Sequence, residues 1–347
     1  MSSLSGLGWR AFFAQQIPLE EFDDFTPARI IARVGDYITA LTDSEQHSFK
    51  LSGKWLTKLP EEQPIIGDWV LLDSESLPSL LLDRSSLLER RAAGTGGRRQ
   101  LMAANIDTLF IVSGLDRDFN LSRIERYLAL AVEGGVRPVV ALTKADLNPD
   151  YEKLCREVER LYENCVAVAL DARDSDAALS TLGPWIGPGE TVAFMGSSGV
   201  GKSTLINSLL HEKLQATKEV SQVDDRGVHT TTDRAMFPLA GGGWLLDTPG
   251  MRQLRLGESG DGLAEVFNDI EELAQKCKFT DCQHQVEPAC AVAAAVESGE
   301  LDSRRLANYQ KLQREQSKLK EQTHERHERE RGFGRMVKDA KRFKENK

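Results

Sequence analysis

Gly196-Ser197-Ser198-Gly199-Val200-Gly201-Lys202-Ser203 is a complete G-x-x-x-x-G-K-S phosphate loop. Thr191-Val192-Ala193-Phe194-Met195 before it reads as a short buried strand, and Leu205, Ile206, Leu209 and Leu210 after it give a helix an apolar stripe. In such a strand–loop–helix unit the glycines let backbone N–H groups turn onto a phosphate chain, and the helix N-terminus adds a favourable field. Lys202 is placed to neutralise the terminal phosphates; Ser203, followed by Thr204, is placed to ligate Mg²⁺ through its hydroxyl. The stretch predicts a nucleoside-triphosphate site.

Strand and helix patterns alternate on either side of that loop. Thr108–Val112, Val136–Leu142, Val166–Leu170 and Trp244–Leu246 read as buried strands; Leu121–Val132 and the stripe Leu154, Val158, Leu161 read as helices. Repeats of this kind predict a mostly parallel sheet covered on both faces. Ligands bind such a sheet at the carboxyl ends of its strands, and three further motifs lie at strand ends.

Thr143-Lys144-Ala145-Asp146 follows the strand Val136–Leu142. A carboxylate there accepts both N1–H and N2–H of guanine, a pairing adenine cannot offer, while the lysine stem lies along the base. The same four residues also describe an ordinary turn ending in an N-cap Asp; beside a phosphate loop they favour GTP over ATP. Asp247-Thr248-Pro249-Gly250 follows Trp244–Leu246, where Asp247 can hold Mg²⁺ through water and the Gly250 N–H can sense a γ-phosphate. Gly227-Val228-His229-Thr230-Thr231-Thr232 lies between the phosphate loop and Asp247, with Thr231 taken as the switch threonine that completes the Mg²⁺ shell.

Ahead of the sheet, Ile30–Val34, Tyr37–Leu41, Ser48–Leu51 and Asp68–Asp73 are short strands separated by turn residues, a spacing that suits a small barrel such as an OB-fold. Trp55 and Trp69 are either stacking platforms for nucleic acid or buried core aromatics, the latter being the simpler role for each taken singly. Ala93–Gln100 is glycine-rich and basic and reads as a connection; residues 1–25 show no sustained period and read as a partly ordered extension.

The chain has 347 residues, enough for two or three domains, with 40% apolar and 28% charged residues as in ordinary soluble proteins. No apolar run approaches membrane-spanning length and the start lacks a signal-peptide pattern, so the expected location is the cytoplasm. The five cysteines are odd in number and three crowd together, which favours reduced thiols and a metal site over disulfides. The net charge of −9 is uneven: residues 303–347 hold 15 Lys and Arg against 7 Asp and Glu, a balance of +8, and the rest holds 29 against 46, or −17. A basic tail on an acidic body suits a polyanionic partner met by the tail.

In ordinary small GTPases the guanine-reading motif follows the phosphate loop; here it precedes it, so the chain resembles a circularly permuted GTPase. With Gly67-Asp68-Trp69-Val70 in the barrel, Ala103-Ala104-Asn105-Ile106-Asp107 entering the first strand of the repeat, and the run His229-Thr230-Thr231-Thr232, it is similar to the ribosome small-subunit-dependent GTPase family over roughly residues 28–310. That resemblance implies an α/β fold: a circularly permuted P-loop GTPase domain with an N-terminal OB-fold β-barrel and a C-terminal α-helical zinc-binding domain. The expected division is an extension over 1–25, the OB-fold over 26–93, a linker over 94–105, the GTPase domain over 106–258, the zinc domain over 259–331 and a basic tail over 332–347. Cys277, Cys282, His284 and Cys290 offer three thiolates and an imidazole within 14 residues, a closed tetrahedral zinc site with no open position for water.

The chain departs from the family pattern at two places. Thr143 stands where Asn usually opens the guanine motif, which puts some affinity in doubt, and Asp171-Ala172-Arg173 stands where a Ser-Ala pair is usual, leaving a mainly backbone contact to the base. Met251, directly after Gly250, cannot orient water as the glutamine of many small GTPases does, so slow intrinsic hydrolysis is expected. His229 is then the candidate to orient water, with Lys202 and Thr231 completing the catalytic set. The resemblance implies a GTP hydrolase of late small-subunit maturation, binding rRNA, releasing assembly factors, using GTP, Mg²⁺ and one structural Zn²⁺, monomeric and with no membrane partner. Two rivals are an RNA-binding scaffold that holds GTP but scarcely hydrolyses it, and a metal-dependent ATPase.

Overall fold

The computed structural model describes residues 3–21, 24–91, 99–217, 234–239, 241–247, 260–285, 287–318 and 320–321. After the short helix α1 (Ala11–Ala14) come the antiparallel strands β1 (Thr26–Val34), β2 (Tyr37–Leu41), β3 (Gln46–Lys50), β4 (Trp69–Leu72) and β5 (Pro78–Leu81), with α2 (Gly53–Leu56) between β3 and β4. A hairpin, β6 (Leu87–Arg91) with β7 (Arg99–Ala104), leads into an alternating unit. That unit runs β8 (Thr108–Gly114), α3 (Leu121–Glu133), β9 (Arg137–Thr143), α4 (Tyr151–Glu159), β10 (Val166–Leu170), α5 (Ser175–Leu182), β11 (Thr191–Gly196), α6 (Lys202–Thr217), β12 (Arg234–Pro238) and β13 (Trp244–Asp247). Four helices follow: α7 (Asp261–Val266), α8 (Asn268–Ala274), α9 (Ala291–Ser298) and α10 over residues 303–318.

The main sheet has the order β10-β9-β8-β11-β13-β12-β1-β2-β3, with β4 also on β1 and β5 on β4. Its first five strands are parallel, as the alternation predicts. Side chains along β8 and β11 divide by period two: Leu109, Ile111, Ala193 and Met195 join the core under Ile124 and Leu128 of α3. Phe110, Val112, Val192 and Phe194 join the opposite core under Ala178 and Leu182 of α5 and Leu205 and Leu209 of α6. Both faces are thereby dry, which is why these strands read as unbroken apolar runs.

The N-terminal strands enclose a third core of Ile30, Ile38, Ala40, Phe49, Trp55 and Val70. Trp55 and Trp69 are 1% and 0% exposed, so both are core residues. No ladder joins β3 to β5 among the described residues, so the closed barrel expected over 26–93 is not observed as such. The sheet instead continues into the nucleotide-binding unit through β1 and β12, paired at Ala32–Ala235 and Arg33–Arg234.

One further expectation changes. The 94–105 linker contains strand β7, because Arg99–Ala104 finds a partner in β6 that local composition does not announce; residues 92–98 lie outside the described residues. The N-terminal extension is packed over its described part. Leu7, Phe13 and Ile17 are buried, Trp9 and Phe13 lie 4.8 and 5.8 Å from the Trp69 ring, and the Trp244 indole donates to Gly6 O at 2.9 Å.

The segments Gly67–Val70 and Ala103–Asp107 prove to be two halves of one joint. Gly67 has φ +86°, and a Cβ there would lie 2.1 Å from Ala104 O, so no other residue fits. Asn105 sits at φ +55° and donates to Gly67 O at 3.0 Å while its carbonyl side-chain oxygen accepts from Ser85 N at 2.8 Å. Asp68 is fully buried; burial pushes its carboxyl up, and the Arg84 guanidinium opposes that shift through contacts of 2.8 Å to both oxygens.

At the other end, α3 docks the C-terminal helices through a buried charge. Glu125 is 0% exposed and accepts from Arg304, Arg305 and Asn308 at 2.6–3.1 Å. Arg305 also reaches Asp269 Oδ2 at 2.7 Å and Val266 O at 2.8 Å. Removing one partner of such a cluster strands buried charge. Glu125→Ala should lower the unfolding free energy by about 3 kcal/mol in urea denaturation; a loss below about 0.5 kcal/mol, the scale of ordinary surface substitutions, would show that this carboxylate does not hold α10.

Candidate functional site

β11 ends at Gly196, whose φ is +152° and where a Cβ would fall 2.2 Å from Val112 O on β8. The phosphate loop can leave the sheet this closely only from a glycine. Lys202 opens α6 and donates to Gly196 O at 2.8 Å and to Ser197 O, so its ammonium lies over the loop. Ser197 Oγ accepts from Arg123 Nη1 at 2.8 Å, tying the loop to the first turn of α3. That turn is itself fixed by the Asn120 side chain, an N-cap accepting from Arg123 N at 3.0 Å.

The Thr143-Lys144-Ala145-Asp146 turn meets this loop directly. Thr143 is fully buried at the end of β9, and its hydroxyl donates to Val200 O at 2.5 Å. Lys144 adopts φ +62°, unusual without glycine, and its ammonium reaches Gly199 O at 2.9 Å and Asp116 Oδ2 at 2.5 Å. Hydrogen bonding from Lys144 holds the Asp116 carboxyl below its ordinary range. A short β-branched hydroxyl therefore ties the motif's first position to the phosphate loop.

Asp171-Ala172-Arg173 follows β10 and closes the third side. Ser208 Oγ of α6 donates to Ala172 O at 2.7 Å, and Arg173 Nη2 donates to both Asp171 Oδ2 at 2.7 Å and Asp146 Oδ2 at 2.8 Å. The Arg173 hydrogen bond holds the Asp171 carboxyl below its usual range. The three loops surround a cleft of about 370 Å³ lined by Thr143, Lys144, Asp146, Asp171 and Arg173 on one side and by Gly199, Gly201, Lys202, Ser203 and Thr204 on the other. Polar groups that can read a base edge and backbone N–H groups that can cradle phosphate thus face one space.

Cys277, Cys282, His284 and Cys290 also converge, with their ligand atoms all within 4.8 Å of one another. Cys277 Sγ and Cys290 Sγ are 3.9 Å apart, and His284 Nδ1 lies 3.7 and 3.5 Å from them. A tetrahedral zinc with thiolate bonds of the usual length has ligand–ligand edges of about 3.8 Å, so the donor set fits a metal of that kind. His284 takes φ +59° to turn its ring inward, and burial lowers its pKa, keeping the imidazole neutral as a ligand must be.

His229, Thr230, Thr231, Thr232, Gly250 and Met251 lie outside the described residues, as does the Asp247 side chain, although β13 ends at that residue. Sequence reading did not single out Arg123 or Asp116. Each acts on a partner more than 25 positions away, and no local spacing marks such a contact.

The geometry defines a P-loop nucleotide-binding protein of permuted order, with the Thr143–Asp146 and Asp171–Arg173 turns after β9 and β10 and the phosphate loop after β11. The RsgA GTPase family profile matches residues 81–257. The chain is 47% identical over 319 residues to "Small ribosomal subunit biogenesis GTPase RsgA 2" of Vibrio vulnificus, covering 91% of this chain and 88% of that one. It is 43% identical over 331 residues to "Small ribosomal subunit biogenesis GTPase RsgA" of Opitutus terrae, covering 91% and 90%. Among solved structures, YjeQ from Thermotoga maritima superposes with a TM-score of 0.61 at 25% identity, over 84% of this chain and 98% of that one. The fold of YloQ, described as a circularly permuted GTPase, matches with a TM-score of 0.59 at 23% identity over 87% and 98%. The chain belongs to the RsgA GTPase family and is a GTP-hydrolysing enzyme.

The Thr143 tie has a measurable consequence. Thr143→Ala leaves Val200 O without its buried donor and should weaken GDP binding about tenfold in calorimetric titration, whereas Thr143→Asn, which restores a donor at that position, should recover most of it. Equal affinities for all three proteins would remove the tie from the binding site.

Proposed function

We propose that the chain hydrolyses GTP in the late maturation of the small ribosomal subunit and that contact with the subunit stimulates its turnover. The observation that carries this reading is the one cleft in which Asp146, Lys144 and the phosphate loop face each other. Asp146 accepts N1–H and N2–H of guanine, the Lys144 stem lies along the base, and Thr143 fixes the turn to the loop. Backbone N–H groups of Gly196, Ser197, Ser198, Gly199, Val200 and Gly201 receive the phosphate oxygens with Lys202, Ser203 and Thr204. Ser203, Thr231 and Asp247 would hold Mg²⁺, which would supply positive charge to the phosphate chain. The Gly250 N–H senses the γ-phosphate. His229 orients the attacking water, whose oxygen bonds to the γ-phosphorus as the bond to the GDP oxygen breaks, giving GDP and phosphate.

Support for the subunit role comes from what the relatives are named for, small ribosomal subunit biogenesis. The N-terminal strands over 26–93 serve as an OB-fold left open between β3 and β5, the GTPase unit spans 106–258, and Cys277, Cys282, His284 and Cys290 would hold one structural Zn²⁺ in the helical region 259–331. The strands, the zinc region and the basic tail 332–347 grip rRNA, the hydrolysis cycle releases assembly factors, and the protein works as a cytoplasmic monomer. No helix among the described residues is long and apolar enough to cross a membrane.

GTP turnover measured with and without purified small subunits tests the role. Stimulation on the order of a hundredfold or more is expected, as for other GTPases that wait on a partner; none at all would favour an RNA-binding scaffold. His229→Ala should lose most of that stimulation while GDP affinity is unchanged. For the metal, the purified protein should release close to one zinc per chain when its thiolates are titrated with a mercurial, and Cys290→Ser should lower both the zinc content and the melting temperature. A protein free of zinc and equally stable would overturn the assignment.

A further inference from the structure

The Asp171-Ala172-Arg173 turn contains a side chain that the GTPase reading leaves without a role. Arg173 Nε donates to Asp171 Oδ1 at 2.9 Å and Nη2 donates to Asp171 Oδ2 at 2.7 Å, a two-pronged fork. The Arg173 backbone N–H also reaches Asp171 Oδ1 at 2.9 Å, so the turn locks the guanidinium in place. The remaining hydrogen of Nη2 is aimed at Asp146 Oδ2, 2.8 Å away. Asp146 is the carboxylate on which guanine selection depends.

The geometry points to Arg173, clamped by Asp171, as the positioning residue that orients the Asp146 carboxylate for guanine. This rests on the reading of Asp146 as the base-recognising group. A carboxylate offers about four lone-pair sites on its two oxygens. Guanine uses one on each oxygen, which leaves a site on Oδ2 for Arg173. The terminal torsion of an aspartate is broad, and both oxygens must lie in the base plane to receive N1–H and N2–H together. A third donor held on the free lone pair of Oδ2 opposes that rotation. Arginine suits the task because its planar fork can hold one carboxylate and point at a second; lysine cannot do both with fixed geometry. The Arg173 side chain is 70% exposed and Asp146 34%, so the effect is modest in size.

The test uses the full chain, titrated calorimetrically with GDP and with inosine diphosphate, whose base keeps N1–H but lacks N2–H. Arg173→Ala should weaken GDP about threefold, within the range of exposed ion pairs, and weaken inosine diphosphate less, so that discrimination between the two falls. Arg173→Lys should sit between wild type and Arg173→Ala. The difference should shrink in about 1 M salt, where exposed charges are screened. In steady-state GTP turnover KM should rise with kcat unchanged. Tighter GDP binding by Arg173→Ala would show that Arg173 competes with the base, and an unchanged GDP-to-inosine-diphosphate ratio would show that it does not act through Asp146; either overturns the proposal. Asp146→Ala separates the two levels, because GDP affinity unaffected by that change overturns the base-recognition reading itself.

Discussion

Strand β1 must serve three ladders at once, and the architecture depends on that constraint. Its first residues, Thr26–Arg29, pair with β4; Arg29–Val34 pair with β2; and Ala32 and Arg33 pair with β12. One strand cannot satisfy three neighbours while flat, and the register to β2 shifts between Ile30 and Ala32, where a bulge turns it. Arg29 lies beside that turn, 2% exposed. A guanidinium there is costly unless partnered. Its Nη2 donates to Asn105 O at 2.9 Å and its Nη1 to Leu7 O, and burial still lowers its pKa to about 10. One charge thus gathers the N-terminal segment, the strand and the start of β8.

The nucleotide site follows from the order of strands in space rather than along the chain. β8 lies between β9 and β11, so the ends of β9 and β11 are separated by two strand spacings, about 10 Å. That gap is one a nucleotide can bridge and a single hydroxyl cannot. Thr143 reaches the phosphate loop only because the loop curls back from Gly196 to bring Val200 O within 2.5 Å. A permuted chain loses nothing by this, since a crevice at the carboxyl ends is built from neighbours whatever their connection.

Local pattern disclosed what local chemistry controls. The phosphate loop, the Asp146 turn, the cluster of three cysteines and His284 and the parallel strands each carry a legible residue pattern, and Val166–Leu170 matches β10 residue for residue. Contacts across the chain were not legible. β7 starts at the end of a glycine-rich stretch and is not announced locally, because its strand character comes from pairing with β6. β12 belongs to the sheet through β13 and β1, neither of which its own five residues foretell. The segments Gly67–Val70 and Ala103–Asp107 were visible as signatures, but that they touch is a fact of packing: Asn105 reaches Gly67 from 38 positions away. Likewise the bond from Thr143 to Val200 O, 57 positions away, has no local sequence mark.

The first turn of α3 couples two regions that the sequence treats as separate. Arg123 holds Ser197 of the phosphate loop; Ser122 accepts from Arg304 at 3.1 Å, and Glu125 accepts from Arg304, Arg305 and Asn308. These side chains leave one helical turn in different directions, and that turn is capped by Asn120. Hydrogen-bonded helix backbone is regular over a single turn, so the loop contact and the α10 contacts share one support. The buried charge at Glu125 makes the C-terminal side the less forgiving of the two, because breaking it strands a fully buried carboxylate. The weaker link is therefore at the phosphate loop, where one neutral hydroxyl meets one arginine.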